Sequence, residues 1–210
     1  MGIDYRPADG RLYGVTTANN LYVIEPETGA ATLVCSLTVA FDAGVRSAFD
    51  FNPQSDRLRI VGSNGQNLRV HPDIGAAATD GAVAYARKDR NFGKTPAITA
   101  MAYTSSIPRA LATKTCDIDA ALDVLALQEP PNDGTLHTVG PLGVDFDVLG
   151  GFDILTDAQG KDHAYAVSGS RLYTLDLETG AATLLGVVGG GSHRLFGLAV
   201  TLSTARSRPR

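Results

Sequence analysis

The sequence predicts an all-β protein, a β-propeller of four-stranded antiparallel blades with four full blades and one strand of an incomplete fifth. Three observations predict it. First, LYVIEPETGAATLV beginning at Leu21 returns as LYTLDLETGAATLL at Leu172, with nine of fourteen positions identical. Weaker copies begin at Leu68 and Leu125, so the four starts are 47, 57 and 47 residues apart. Second, an acidic phrase keeps the same step. It reads GIDYRP at Gly2, AFDFNP at Ala48 and GFDILT at Gly151, with AMAYTS at Ala100 and GLAVTL at Gly197 in the same slots. Third, no segment of adequate length sustains a 3.6-residue apolar period, while Gly-containing turn clusters punctuate short runs of Leu, Ile, Val, Tyr and Thr. Repeats of four short strands at a period near 50 residues are the signature of propeller blades, whose two-faced sheets bury themselves against neighbours in a ring.

The elements follow in order. In the first unit the strands are 2–5, 11–16, 21–25 and 31–35, separated by Pro-Ala-Asp-Gly at 7–10, Ala-Asn-Asn at 18–20 and Pro-Glu-Thr-Gly at 26–29. In the last of these turns Pro pre-sets φ and Gly29 accepts φ > 0. Strands this close join as hairpins, so each unit is a meander. Full units occupy 1–36, 46–88, 98–141 and 149–188, within a single domain over 1–204. DIDAALDVLAL at 117–127 imitates a helix, but its place in the repeat makes it two strands and a turn. GVVGGGSH at 186–193 reads as an inter-blade connection, because it lacks the Lys-Ser/Thr of a phosphate loop. RLFGLAVTLST at 194–204 is a first strand without its three partners, so the ring is expected to be open or imperfectly closed. ARSRPR at 205–210 reads as a solvated basic tail.

Composition narrows the function. A net charge of −4 supplies no overall field for nucleic acid or an anionic membrane. No run approaches the length of a membrane span, and the opening MGIDYRPADGRLYG carries charges and a proline where a signal peptide has an apolar core. The two cysteines, Cys35 and Cys116, form no metal-binding spacing and no disulfide framework. The four histidines are scattered without a HExxH pattern, and no serine sits in a G-x-S-x-G elbow. No catalytic set is read from the chain.

Two groups remain as candidate sites. Asp4, Asp50 and Asp153 fall at equivalent places on three innermost strands, where carboxylates converging on a channel can hold Ca²⁺ or another hard cation. Their threefold repetition favours a structural role, each acid accepting backbone N–H bonds in its own or a neighbouring blade. Asn64, Gln66, Asn67 and Arg69 break the apolar habit of their unit and are candidates for a polar, ligand-binding rim around the Asn64-Gly65 turn. The longer turn QEPPNDGT at 128–135 offers oxygens on Asn132 and Asp133 but not the EF-hand spacing, and is read as a turn.

GIDYRPADGRLYG, FDFNPQSDRLRIVGSNGQNLRVHPDIG, PPNDGTLHTVGPLGVD and LYTLDLETGAATLLG, spread over 2–200, together resemble the DUF4394 family of bacterial domains of unknown function. The resemblance implies propeller-like repeats. It also implies further strands before the GID motif and export from the cell, for neither of which this chain shows a segment. It carries over no catalytic residue. The expectation is a non-enzymatic binding or scaffold module for a protein or glycan ligand, without an obligate cofactor and able to self-associate through open blade edges. Two alternatives stand beside it. One is a hydrolase or lyase using a cation in the channel, and the other a structural segment of a longer exported protein.

Overall fold

The computed structural model describes residues 2–202. Blade 1 contains β1 (Gly2–Tyr5), β2 (Leu12–Val15), β3 (Asn20–Ile24) and β4 (Ala31–Ser36). Blade 2 contains β5 (Ser47–Asn52), β6 (Arg57–Gly62), β7 (Asn67–Val70) and β8 (Ala77–Thr79). After the short β9 (Ala84–Tyr85), blade 3 contains β10 (Ile98–Tyr103), β11 (Thr115–Asp119), β12 (Val124–Gln128) and β13 (Thr135–Pro141). Blade 4 contains β14 (Gly150–Thr156), β15 (Asp162–Ser168), β16 (Arg171–Leu175) and β17 (Ala182–Val187). Each blade is an antiparallel meander in chain order, and the four make a β-propeller. The helix-like 117–127 stretch forms β11, a turn and β12, as its place in the repeat requires.

The repeated phrase is the β3–β4 type of hairpin. Its glycine closes the turn in three blades through the same amide bond, Gly29 to Glu25 O, Gly75 to His71 O and Gly180 to Asp176 O, at 2.8, 2.9 and 2.8 Å. Their φ values of 71°, 70° and 83° are in the left-handed region that glycine enters without steric cost.

The inner strands β1, β5, β10 and β14 stand side by side around the axis. Three apolar layers fill the spaces between successive blades. Tyr13, Val15 and Leu21 of blade 1 meet Phe51, Leu58 and Ile60 of blade 2. Ala48 and Val61 of blade 2 meet Met101 and Tyr103 of blade 3. Ile118 and Leu125 of blade 3 meet Phe152, Ile154 and Tyr173 of blade 4. No such layer joins blade 4 to blade 1 among the described residues.

The chain after β17 runs through that gap instead. Leu195 N–H donates to Gly169 O at 2.8 Å, Gly197 and Leu198 press against Gly151, and Val200 N–H donates to Asp153. A side chain at Gly151 would collide with the backbone of Gly197 and Leu198, so the close passage requires glycine there. The segment therefore sits where the inner strand of a fifth blade belongs, although 194–202 joins no ladder. Residues 203–204 of the expected strand and the basic tail 205–210 lie outside the described residues. One feature was absent from the sequence reading. After β8 the chain leaves blade 2 and pairs β9 in parallel with β13, covering the outer edge of blade 3. Covering an edge in this way removes a site of strand-to-strand aggregation.

Candidate functional site at the channel

The sequence places Asp4, Asp50 and Asp153 within β1, β5 and β14, each between two apolar or aromatic residues. Alternation along each strand then turns the acids to the opposite face. All three are buried, and one carboxylate oxygen from each lies within 4.8 Å of the others. Each acid also performs the same task. Asp4 accepts the amide of Phe51 in the next blade at 3.0 Å, and Asp50 accepts that of Tyr103 at 3.3 Å. Asp153 accepts that of Val200 in the segment between blades 4 and 1. Phe51, Tyr103 and Val200 themselves follow the phrase positions Asp50, Ala102 and Ala199. The acid on one inner strand thus fastens the next inner strand around the ring.

Blade 3 has Ala102 in the acidic slot, and the joint to blade 4 is built differently. Ser106 and Thr156 exchange bonds, Ser106 N–H to Thr156 Oγ1 at 2.6 Å and Thr156 N–H to Ser106 Oγ at 2.9 Å. Asp162 accepts from Thr156 Oγ1 at 2.6 Å and from Ser105 N–H at 3.0 Å.

Burial raises the affinity of all three channel carboxyls for protons. Burial pushes Asp153 up to about 6 against the opposing amides of Val200 and Ile154. Asp4 is raised well above the ordinary range by burial and then by the Asp153 charge. Asp50 is raised likewise, by burial and then by the charges of Asp4 and Asp153. The cleft beside them, about 250 Å³, also touches Arg6, Ser106 and Thr156.

The other candidates are not gathered here. Asn64 Nδ2 donates to Asp42 O at 2.9 Å and Gln66 Nε2 to Ala40 O at 2.9 Å, which pins the loop ahead of β5. Asn67 is fully buried; its Oδ1 accepts from Arg59 at 2.6 Å, and its Nδ2 donates to Gly81 O and Pro131 O. Arg69 pairs with Asp80 at 3.2 Å. Asn132 serves Arg59 at 2.6 Å. Of the histidines, His137 bonds Glu129 O, His163 bonds Asp157 and His193 bonds Ser192, in three separate places. Cys35 and Cys116 are unpaired. No helix among the described residues is long and apolar enough to cross a membrane.

The family model for the domain of unknown function DUF4394 matches residues 1–199. The chain belongs to the DUF4394 family. Among solved structures, this DUF4394 chain is similar to a structural-genomics protein of unknown function from Bacteroides thetaiotaomicron, with a TM-score of 0.55 and 16% identity over 90% of this chain and 51% of that one. It is also similar to a selenomethionine-substituted virginiamycin B lyase from Staphylococcus aureus, with a TM-score of 0.48 and 12% identity over 89% of this chain and 55% of that one. The chain thus spans about half the length of the solved structures it matches. At such identities the likeness is one of fold. No curated protein matches the chain.

Sequence reasoning missed Arg46, Ser47 and Thr99 near the same axis. Arg46 lies in the loop before β5, outside either repeated phrase. Thr99 is displaced by a β-bulge between Ile98 and Ala100, and no repeat signals a bulge.

Proposed function

We propose that this DUF4394 domain is a non-enzymatic scaffold and binding module, in which the channel carboxylates are joints of the ring. One observation carries the reading: Asp4 and Asp50 each accept an amide of the next inner strand, and Asp153 accepts one at the equivalent position of the segment after β17. An acid used this way satisfies a buried donor and fixes one blade against another. The rigid frame leaves binding to its loops and to the wedge between blade 4 and blade 1.

A second reading is favoured by the convergence of three carboxylate oxygens within 4.8 Å, a spacing suited to a hard cation. The residues fit such an ion in chemistry. The same three carboxylates, however, hold the neighbouring backbone. The experiment that separates the readings is thermal unfolding of Asp4→Ala and the unaltered chain with EDTA or with Ca²⁺. For the scaffold reading, Asp4→Ala loses about 1–3 kcal/mol through the orphaned Phe51 amide, equally in EDTA and in Ca²⁺. A midpoint of the unaltered chain that climbs with Ca²⁺ concentration, and no longer does so in Asp4→Ala, establishes the cation reading instead.

A further inference from the structure

Beside blade 1, ahead of the acids in the inner strands, the chemistry differs. A cleft of about 410 Å³ opens between the outer face of blade 1 and the segment that follows β17. Its walls are largely apolar, formed by Ile3, Tyr22, Ile24, Ala31 and Phe196. Arg46 also lines it, and none of the described lining residues is acidic. Arg46 forms no ion pair among the described residues, and its Nε is buried without a hydrogen-bond partner. Among the described residues the one bond of its guanidinium is a long donation from Nη2 to Gly150 O at 3.4 Å. The buried arginines differ sharply from this half-buried one: Arg6 holds Asp56 and Asp73, and Arg59 holds Asp80 and Asn132. Behind Arg46 lies a cavity of about 20 Å³, where the buried hydroxyls of Ser47 and Thr99 also have no partner among the described residues.

We propose that this cleft binds an amphipathic monocarboxylate, such as a medium-chain fatty acid, with its chain against Ile3, Tyr22 and Ile24 and its carboxylate on Arg46. The cleft's size is that of a small-molecule site, roughly 300–1,000 Å³. A largely apolar wall with one unpaired cation selects an apolar body with one negative charge. A phosphate monoester carries more charge than a single guanidinium balances. Burial lowers the proton affinity of Arg46 with no acid opposing it, and an arriving carboxylate supplies the missing counter-charge. Ser47 and Thr99 line, together with Arg46, the small cavity, whose volume suits a single water.

The inference rests on the binding-module reading and names the ligand class for it. Calorimetric titration of the full chain with decanoate, below its micelle concentration, is the test, with decanol as the uncharged probe. Decanoate is expected to bind with a Kd of about 10–500 µM and at least about tenfold more tightly than decanol. Arg46→Gln is expected to erase the preference for decanoate while leaving the unfolding midpoint nearly unchanged. Ile24→Glu is expected to abolish binding of both. No heat with decanoate up to about 1 mM overturns the proposal, as does equal affinity for the two probes. Sedimentation of the unliganded chain as a dimer that Ile24→Glu dissociates also overturns it, because a second copy then covers the face. Occupation of the cleft by further β-strands in a longer chain, seen as protection of Ile24 in hydrogen exchange, does so too. Failure of decanoate with unchanged behaviour of Asp4→Ala removes the site alone, whereas Ca²⁺-dependent stability removes the scaffold reading.

Discussion

Asp117 and Ile118 are neighbours on β11 and face opposite kinds of interface. Ile118 points to blade 4, into a layer of Leu125, Phe152, Ile154 and Tyr173 that contains little but hydrocarbon. Asp117 points to blade 2, where the interface mixes Met101 and Ala126 with a polar network around Arg59. Arg59 donates to Tyr103 Oη at 2.8 Å, Asn67 Oδ1 at 2.6 Å, Asp80 at 2.9 Å and Asn132 at 2.6 Å. The same ring is therefore held in two ways. A hydrocarbon layer depends on volume and tolerates small trimming, whereas a buried polar network depends on every partner being present. The most sensitive place in the molecule is expected to be the joint between blades 2 and 3.

Arg59→Met tests this most severely. It keeps much of the side chain's bulk but leaves Asp80 and Asn67 buried beside lost partners. A loss of about 3–5 kcal/mol in urea unfolding is expected, the usual cost of breaking a buried ion pair from one side. A loss under about 1 kcal/mol, of the size expected for an exposed pair, means the network is solvated and the comparison fails.

Beside the network, both carboxylate oxygens of Asp117 are buried without a hydrogen bond among the described residues. Burial pushes its carboxyl up to about 8, with Arg59 opposing and the Asp119 charge adding. The folded chain thus holds a proton that the unfolded chain releases near 4. Between those values folding takes up a proton, so the contribution of Asp117 to stability is fully present below about 4 and declines as pH rises through about 8. Asp117→Val, close in volume and suited to a strand, is expected to raise stability by about 1–3 kcal/mol at pH 8. It is also expected to flatten the fall in unfolding midpoint between pH 6 and 9. A variant no more stable than the parent at pH 8 shows that Asp117 has a partner in solution.

The sequence makes part of this contrast legible. The blades are readable because two phrases repeat in step, and the channel acids because they occupy one slot of one phrase. The interface chemistry is not, and Asn67 shows why. Matching leucines pairs Leu68 with Leu21. The turns set a different register, since Ile24 opposes Ala31 as Val70 opposes Ala77. Counting back from those pairs, Leu68 takes the place of Tyr22, and Asn67 takes that of the buried Leu21. A one-residue difference between Leu21–Pro26 and Leu68–Pro72 exchanges faces, because side chains alternate along a strand. The residue read as a rim candidate is therefore the polar counterpart of a core leucine. Arg46 was illegible for another reason: its significance lies in forming no ion pair among the described residues, which only the packed structure displays.

On the hydrocarbon side the expected effect is smaller. Ile118→Val removes one methylene from a filled layer and should cost about 0.5–1.5 kcal/mol, with no change in pH dependence. A cost as large as that of Arg59→Met places the weak point of the ring between blades 3 and 4 instead.

The smallest effect separates the inside of the polar network from its margin. Arg69 and Arg59 share Asp80, but the Arg69 side chain is 39% exposed and that of Arg59 only 3%. Arg69→Ala leaves Asp80 still paired with Arg59, and water can replace the lost contact. A change below about 1 kcal/mol is expected, shrinking further at high salt, where exposed pairs are screened. In the Arg59→Met background the same substitution removes the last charged partner of Asp80, so its cost should increase. That coupling, measured as a double-mutant cycle, reads directly how far Asp80 depends on its buried arginine. Additive losses show two independent contacts in place of a network.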